Sequence, residues 1–299
     1  IKRGKMKGWR VKYYKGLGTS TSKEFKEYFA KKKLVFFNWH SKECDNAMDM
    51  VFNKKRANDR KKWLEAYNRS DVLDTRKDDI PFKEFIHKEM IHFSKYDCER
   101  SIPNVVDGLK TSQRKCLFAA FKRRLTKEVK VAQLSGYISE QAAYHHGEMS
   151  LQKTIVGLAQ DFVGSNNINL FLPNGQFGTR LQGGKDSASE RYIYTLLNPM
   201  TYLLFPELDN PILTYKDDDG TPVEPDFYGP IIPMILVNGG KGIGTGFSTD
   251  IPSFNPKQIV QYIKNKLRNK SNASTIIEPF YRGFKGKITK ISPKKYLFQ

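Results

Sequence analysis

Cysteine is scarce: three in 299 residues, Cys44, Cys98 and Cys116, odd in number and without a CxxC pair. That excludes a disulfide framework and leaves no zinc signature, so the thiols read as reduced ones of a cytosolic or nuclear protein. No apolar run approaches the roughly 18 residues a membrane span needs. Neither Ile1 to Gly8 nor any later stretch has the charged-then-apolar plan of a secretory signal. There is no P-loop, no paired-histidine zinc motif and no GxSxG elbow, so no ATP site is expected within these residues. Internal repeats and low-complexity tracts are missing too. Acidic residues are in deficit, 31 against 51 basic, for a net charge of +20. Such a chain attracts polyanions, nucleic acid first among them, although a lysine-rich surface can also serve solvation alone.

What is present suffices for a core. Apolar residues make up 39%, and the length fits roughly two domains of about 150 residues. The start without methionine and the strand-like end, KKYLFQ, read as a piece of something larger.

Along the chain, WRVKYY (Trp9 to Tyr14) is strand-like, and KGLGTSTS follows as a turn whose Ser20 or Ser22 is placed to cap a helix over KEFKEYFAKK. A second helix is expected within Asn58 to Tyr67. Asn68 to Pro81 lacks apolar periodicity and reads as a linker. Phe82, Phe85, Ile86, Met90 and Phe93 then recur at helical spacing, and Thr111 to Leu125 repeats the pattern. SEQAAYH and GEMSLQKTIVGLAQDF suggest two more helices, while RYIYTLL and PIIPMILVNG read as extended. The sum is helix-turn-helix with β wings. After it come a helix from Pro256 to Leu267 and an alternating stretch, GFKGKITKISPKKYLF, that reads as the start of a new sheet.

Several constellations could carry chemistry. The runs Asp78–Asp79 and Asp217–Asp219 sit among turn formers and read as solvated turns, DDDG as a hairpin tip, rather than as metal ligands. NGGKGIGTGF has the glycines of a phosphate loop, yet prolines rather than a helix follow, which disfavours a dinucleotide site. Its one bulky apolar residue, Ile243, reads either as a buried loop anchor or as a wedge between base steps. RSIPNVVDGLKTSQRK gathers Arg100, Lys110, Arg114 and Lys115 about a helix start, which is either a phosphate site or a solvated basic face. In YHHGE, Tyr144, His145 and His146 stand at a loop-to-helix junction, where a histidine is structural, binds phosphate or moves a proton. Arg191 precedes Tyr192 just before a strand. A tyrosine is a poor nucleophile at its ordinary pKa of about 10, and an adjacent cation favours its phenolate.

Taken in order, YYKGLGTSTSKE, RSIPNVVDGLK, QRK, AAYHHGE, GQFGTR, GGKDSASERYIYT and GIGTGFST closely resemble the DNA breakage–reunion core of eukaryotic type II topoisomerases, from Trp9 to about Lys287. The resemblance implies a mixed α/β chain: the C-terminal part of a TOPRIM domain with linker helices (1–80), a winged-helix breakage–reunion domain (81–250) and the start of a tower domain (251–299). It implies Tyr192 as the nucleophile that becomes linked to a 5′ end, with Arg191, Arg100 and His146 on the scissile phosphate and His146 less securely as general base. Lys110, Arg114 and Lys115 match backbone contacts; Lys15 lies near DNA; Ile243 matches an intercalating residue beside Lys241. Tyr144 and His145 join the DNA-facing set. Lys241 and Phe247 depart from the family's usual acidic residue and tryptophan. Mg²⁺ is expected on carboxylates upstream of Ile1, so no metal ligands in this chain, and ATP only in the full-length enzyme. Expected partners are duplex DNA and a second subunit sharing the catalytic site, with no membrane, in a nuclear enzyme. The competing reading is a winged helix that binds and bends DNA without cutting it. The fragment alone is expected to bind without cleaving.

Overall fold

The computed structural model describes Lys12, Tyr14 and residues 17–269, 277–292 and 295–299. The strand expected over Trp9 to Tyr14 falls almost wholly outside the described residues, and Lys15 does so entirely. Two compact units divide the chain, one of residues 1–53 with 68–91, the other of 54–67 with 92–299.

In the first unit, α1 (Ser22–Ala30) opens on a capping box: the Glu24 amide donates to Thr21 Oγ1, and the Thr21 amide donates to Glu24 Oε2. The cap is thus Thr21, between the two serines expected, because only a residue at N-cap puts its hydroxyl within reach of the N3 amide. β1 (Phe36–Asn38) leads to α2 (Lys42–Phe52), which buries Cys44, Ala47, Met50 and Val51 along one stripe. The next helix, α3 (Ala57–Glu65), belongs to the second unit. The chain returns to the first with β2 (Asp79–Pro81), which pairs in parallel with β1, so the segment expected as a linker ends in a strand. Hydrophobic Ile80, fully buried, explains the pairing. α4 (Phe82–Phe85) follows directly, and its Phe85 ring meets Phe37 edge-on at 4.8 Å.

A π turn (Ile86–Met90) runs into α5 (Ile91–Ser101). Then come α6 (Thr111–Lys122), β3 (Val129–Lys130), α7 (Val131–Gln141), α8 (Glu148–Ala159), β4 (Phe171–Asn174) and β5 (Tyr194–Leu197). The three strands form an antiparallel sheet in the order β3-β5-β4. α6, α7 and α8 pack on it through Leu117, Leu134, Ile138, Leu151 and Ile155, all without solvent exposure, around Phe171 and Leu197. Burial of each such side chain is worth about 1.5–3 kcal/mol as an upper bound. This is the winged-helix arrangement. α7 starts earlier than SEQAAYH suggested and stops at Gln141. Ala143 adopts φ +46°, which a helix cannot continue through, so Tyr144 to His146 lie in a loop.

Beyond α9 (Pro199–Leu204), β6 (Tyr215–Asp218) and β7 (Thr221–Pro225) form the hairpin expected at DDDG. Asp219 (φ +55°) and Gly220 (φ +86°) make its two-residue turn. PIIPMILVNG is not extended. Pro233 fixes the entry and its carbonyl accepts from the amides of Leu236 and Val237, so α10 (Met234–Val237) forms and buries Met234, Ile235 and Val237. The glycine loop is a hairpin as well, β8 (Gly240–Gly244) with β9 (Phe247–Ile251). α11 (Pro256–Leu267), capped by Asn255, precedes a last hairpin of β10 (Ile288–Ser292) and β11 (Lys295–Phe298), where a new sheet was expected.

Candidate active site and nucleic-acid interface

α5 carries Tyr96 and Arg100 one turn apart on one face. Together with α6, the loop after α7 and the β6–β7 hairpin, they enclose a cavity of about 300 Å³ whose lining includes Arg100, Lys115, Tyr144, His145 and His146. Five of the expected site residues therefore meet in one place. The Tyr96 hydroxyl lies 2.5 Å from His146 Nε2, and the Tyr144 ring stands edge-on to His146 at 5.3 Å. Burial, and then the charges of Arg100, His145 and Lys115, hold the His146 pKa below its ordinary value. Tyr144 is a wall residue, with its hydroxyl buried and without a hydrogen-bond partner among the described residues. His145 Nε2 lies 3.4 Å from Asp218 at the hairpin tip.

The basic cluster at the start of α6 divides into three. Lys110, at the N-cap, has no carboxylate partner among the described residues, and its amide donates to Gln113 Oε1. Lys115 faces the cavity with its charge matched: Nζ is 2.6 Å from Glu224 Oε2 and 2.5 Å from the Ala142 carbonyl. Arg114 corrects the expectation of a backbone contact. It is 3% exposed, its Nε donates to Asp107 at 2.7 Å, and its Nη2 donates to Asp107 and to the Leu109 carbonyl. A guanidinium so enclosed holds the IPNVVDGLK turn and is out of a phosphate's reach.

Tyr192 and Arg191 are not among the residues that line this cavity. They sit where the wing enters β5. Behind them Ile193 is buried, and its carbonyl accepts from the Val131 amide at 3.1 Å, while the Glu190 carbonyl accepts from Ala132 at the same distance. Ile193 is turned inward, and Tyr192 stands 73% exposed in the turn before β5, where its amide donates to the Ser189 carbonyl at 2.9 Å. The Arg191 guanidinium lies 5.9 Å from the Tyr192 ring centre. The wing itself is braced by Thr179, whose amide and hydroxyl donate to Asp186 and hold that carboxyl below the usual range.

In the β8–β9 hairpin Ile243 and Lys241 share the outward face, Ile243 76% exposed and Lys241 3.1 Å from Asp250 across the strands. Gly240, Gly242 and Gly244 form the opposite row. A Cβ at Gly242 would stand 2.2 Å from the Ser101 carbonyl oxygen, and one at Gly244 would stand 3.0 Å from Cys98 Sγ. The glycines thus let a strand lie directly on α5, and Ile243 is neither a loop residue nor a buried anchor.

Sequence reasoning missed Tyr96, Asp107 and Glu224. The i, i+4 relation of Tyr96 to Arg100 was the available signal for the first; the carboxylates are matched to their cations only by the fold. Among the described residues no cluster of three or more His, Cys, Asp or Glu is placed to hold a metal ion, and no helix is long and apolar enough to cross a membrane.

Known proteins share the sequence and fold of this chain. The family model for the A-type subunit of DNA gyrase/topoisomerase IV matches residues 100–298, and that for the C-terminal associated domain of TOPRIM matches residues 2–98. DNA topoisomerase 2 of Arabidopsis thaliana is 52% identical over 98% of this chain, and that of Saccharomyces cerevisiae is 51% identical over 96%. The chain spans about a fifth of the length of either relative, 20% in both cases. The crystal structure of the Plasmodium falciparum topoisomerase II DNA-binding, cleavage and re-ligation domain superposes with a TM-score of 0.81 at 49% identity, over 97% of this chain and 40% of that one. The chain belongs to the type II DNA topoisomerases, in their eukaryotic branch.

Proposed function

We propose that this chain is the breakage–reunion part of an enzyme that cuts both strands of a duplex, lets a second duplex through and reseals the first. The phenolate oxygen of Tyr192 attacks a DNA phosphorus. A new P–O bond forms to the tyrosine, the bond to the neighbouring 3′ oxygen breaks, and that oxygen leaves as a hydroxyl after taking a proton. One phosphoester replaces another, so resealing runs backward without an energy source. Arg191 and Arg100 stabilise the charge on the phosphoryl oxygens, His146 holds the same phosphate, and Lys110 contacts the backbone nearby. Ile243 enters the base stack and bends the cut segment.

The observation that carries this reading is Tyr192 itself, exposed beside the buried Ile193 with the Arg191 guanidinium 5.9 Å from its ring centre. Mg²⁺ would supply further charge stabilisation at the phosphate. The described residues offer no cluster for it, so the steps above use only side chains of this chain. ATP use, a subunit pair that shares each site, and a nuclear location belong to the same proposal for the full-length enzyme.

The test compares full-length wild type with Tyr192→Phe on end-labelled duplex with Mg²⁺, quenched in detergent. Covalent protein on 5′ ends that vanishes in the variant is the expected result. Equal adducts in both would show that another tyrosine reacts. Binding without adducts in either would leave a module that only bends DNA. The isolated chain is expected to bind duplex with strong salt dependence and to form no adduct.

A further inference from the structure

The imidazole of His146 is held between two tyrosines. The Tyr96 hydroxyl lies 2.5 Å from Nε2, with the two rings 6.2 Å apart and inclined at 35°. On another side the Tyr144 ring meets it edge-on at 5.3 Å and 74°. Nε2 is therefore taken, and Nδ1 is the one ring nitrogen left to offer.

Which nitrogen carries the proton follows from the chemistry of the pair. A phenol O–H is a strong donor and a bare imidazole nitrogen a strong acceptor. The reverse pairing would set an N–H against a weakly basic phenolic oxygen. Protonation at both nitrogens is opposed by partial desolvation first, then by Arg100 on α5, by His145 next in the chain and by Lys115 on α6. On the β6–β7 hairpin that lines the same cavity, Asp218 lies against His145, Glu224 against Lys115 and Lys216, and Asp217 accepts from the Gly220 amide. With Nε2 accepting from the Tyr96 hydroxyl, the hydrogen of a neutral ring stands on Nδ1.

We propose that Tyr96 is a positioning residue for strand breakage: by donating to Nε2 it fixes His146 as the tautomer that donates through Nδ1, so that His146 binds a phosphate oxygen and does not take the proton of Tyr192. This rests on the breakage–reunion reading above and decides between the two roles the histidine could have there. Tyr96 itself touches no reacting atom. It acts through the ring it orients, as the second partner of a histidine commonly does.

The experiment measures the rate of 5′ adduct formation by the full-length enzyme from roughly pH 6 to 9, across the range in which a histidine titrates. Tyr96→Phe keeps the ring and removes the hydroxyl. Loss of one such hydrogen bond should slow cleavage by up to about tenfold near pH 8. The defect should shrink below about pH 6, because an imidazolium donates from both nitrogens and needs no tautomer fixed. His146→Asn carries an amide N–H close to the place of Nδ1 and cannot act as a base at these pH values. It should cleave substantially faster than His146→Ala, and adding Tyr96→Phe to it should change nothing further.

A Tyr96→Phe defect of constant size at every pH would reduce Tyr96 to packing and overturn the proposal. A defect that deepens as pH falls would make His146 the base, and so would a His146→Asn enzyme as slow as His146→Ala. Should Tyr96→Phe fold poorly, the single variants at His146 still decide the donor role. Tyr192→Phe, run alongside, separates the two readings: adducts that survive it would sink the breakage reading itself, whatever the Tyr96 variants do.

Discussion

Arg114 and Asp107 close on each other in a two-point contact, Nε to Oδ2 at 2.7 Å and Nη2 to Oδ1 at 3.0 Å, with 3% and 0% of the two residues exposed. Asp107 also accepts from the amides of Leu109 and Tyr228, so one carboxylate ties the turn before α6 to the chain after β7. Removing the cation leaves that carboxylate buried and short of two donors. Arg114→Ala should therefore cost about 3–5 kcal/mol of folding stability. The loss would appear as a lower denaturant midpoint at unchanged slope. A variant as stable as wild type would show that the pair is not a structural tie.

Lys110, four residues earlier, should behave in the opposite way. With no carboxylate partner among the described residues, Lys110→Ala should leave stability within about 0.5 kcal/mol of wild type. It should weaken duplex binding at low salt and lower the slope of log affinity against log salt by about one. Anisotropy titrations over a salt series measure this. A slope unchanged from wild type would remove Lys110 from the interface.

The contrast marks how far the sequence could be read. Lys110, Arg114 and Lys115 look alike in a basic stretch, and nothing local says which will meet a carboxylate 7 or 109 residues away. Short-range signals did better: DDDG gave its hairpin, and the apolar spacing of α6 and α8 gave their helices. α2 is hard to read although Cys44, Ala47, Met50 and Val51 recur at helical spacing, because Asp45, Asn46 and Asp49 interrupt a narrow stripe. α10 reads as extended from the sequence because four apolar residues fit either form. The glycines at 240, 242 and 244 read as a loop from the sequence. Their period of two has meaning only once α5 is known to lie beneath them.

Glu24 gives the first unit a dependence on acid. It accepts from Lys12, from the Thr21 amide and from the Tyr14 hydroxyl, which lower its pKa to about 2, while Tyr14 is pushed up to about 12 by the same carboxylate. A carboxyl whose pKa is lower folded than unfolded adds stability above its unfolded pKa, and loses it as pH falls through the folded one. The contribution should be whole above about pH 4.5, and gone once pH has dropped past about 2. Glu24→Gln keeps a capping side chain and removes the charge. Its melting temperature should sit below that of wild type at pH 7, and the gap should narrow between pH 4.5 and 2. A gap of the same width throughout would mean that the ionised form is not what matters.

Ile243 and Gly242 are neighbours on one strand with opposite duties, and substitution should separate them. Ile243 points away from α5 and is 76% exposed, so Ile243→Ala should leave the melting temperature unchanged. Without a side chain to enter the base stack, the variant should still bind duplex through its cations but bend it much less, since an inserted wedge drives a kink of roughly 20–90°. Gly242→Ala meets the Ser101 carbonyl at 2.2 Å, a backbone atom that no rotamer change can move aside. It should destabilise the hairpin's seat on α5 by about 1–3 kcal/mol, as overpacking generally does. Energy transfer between dyes at the two duplex ends reads the bend, and thermal unfolding reads the seat. An Ile243→Ala protein that bends DNA as far as wild type would assign the kink to another group. Equal loss of stability in both variants would mean that Ile243 is itself part of the packing, despite its exposure.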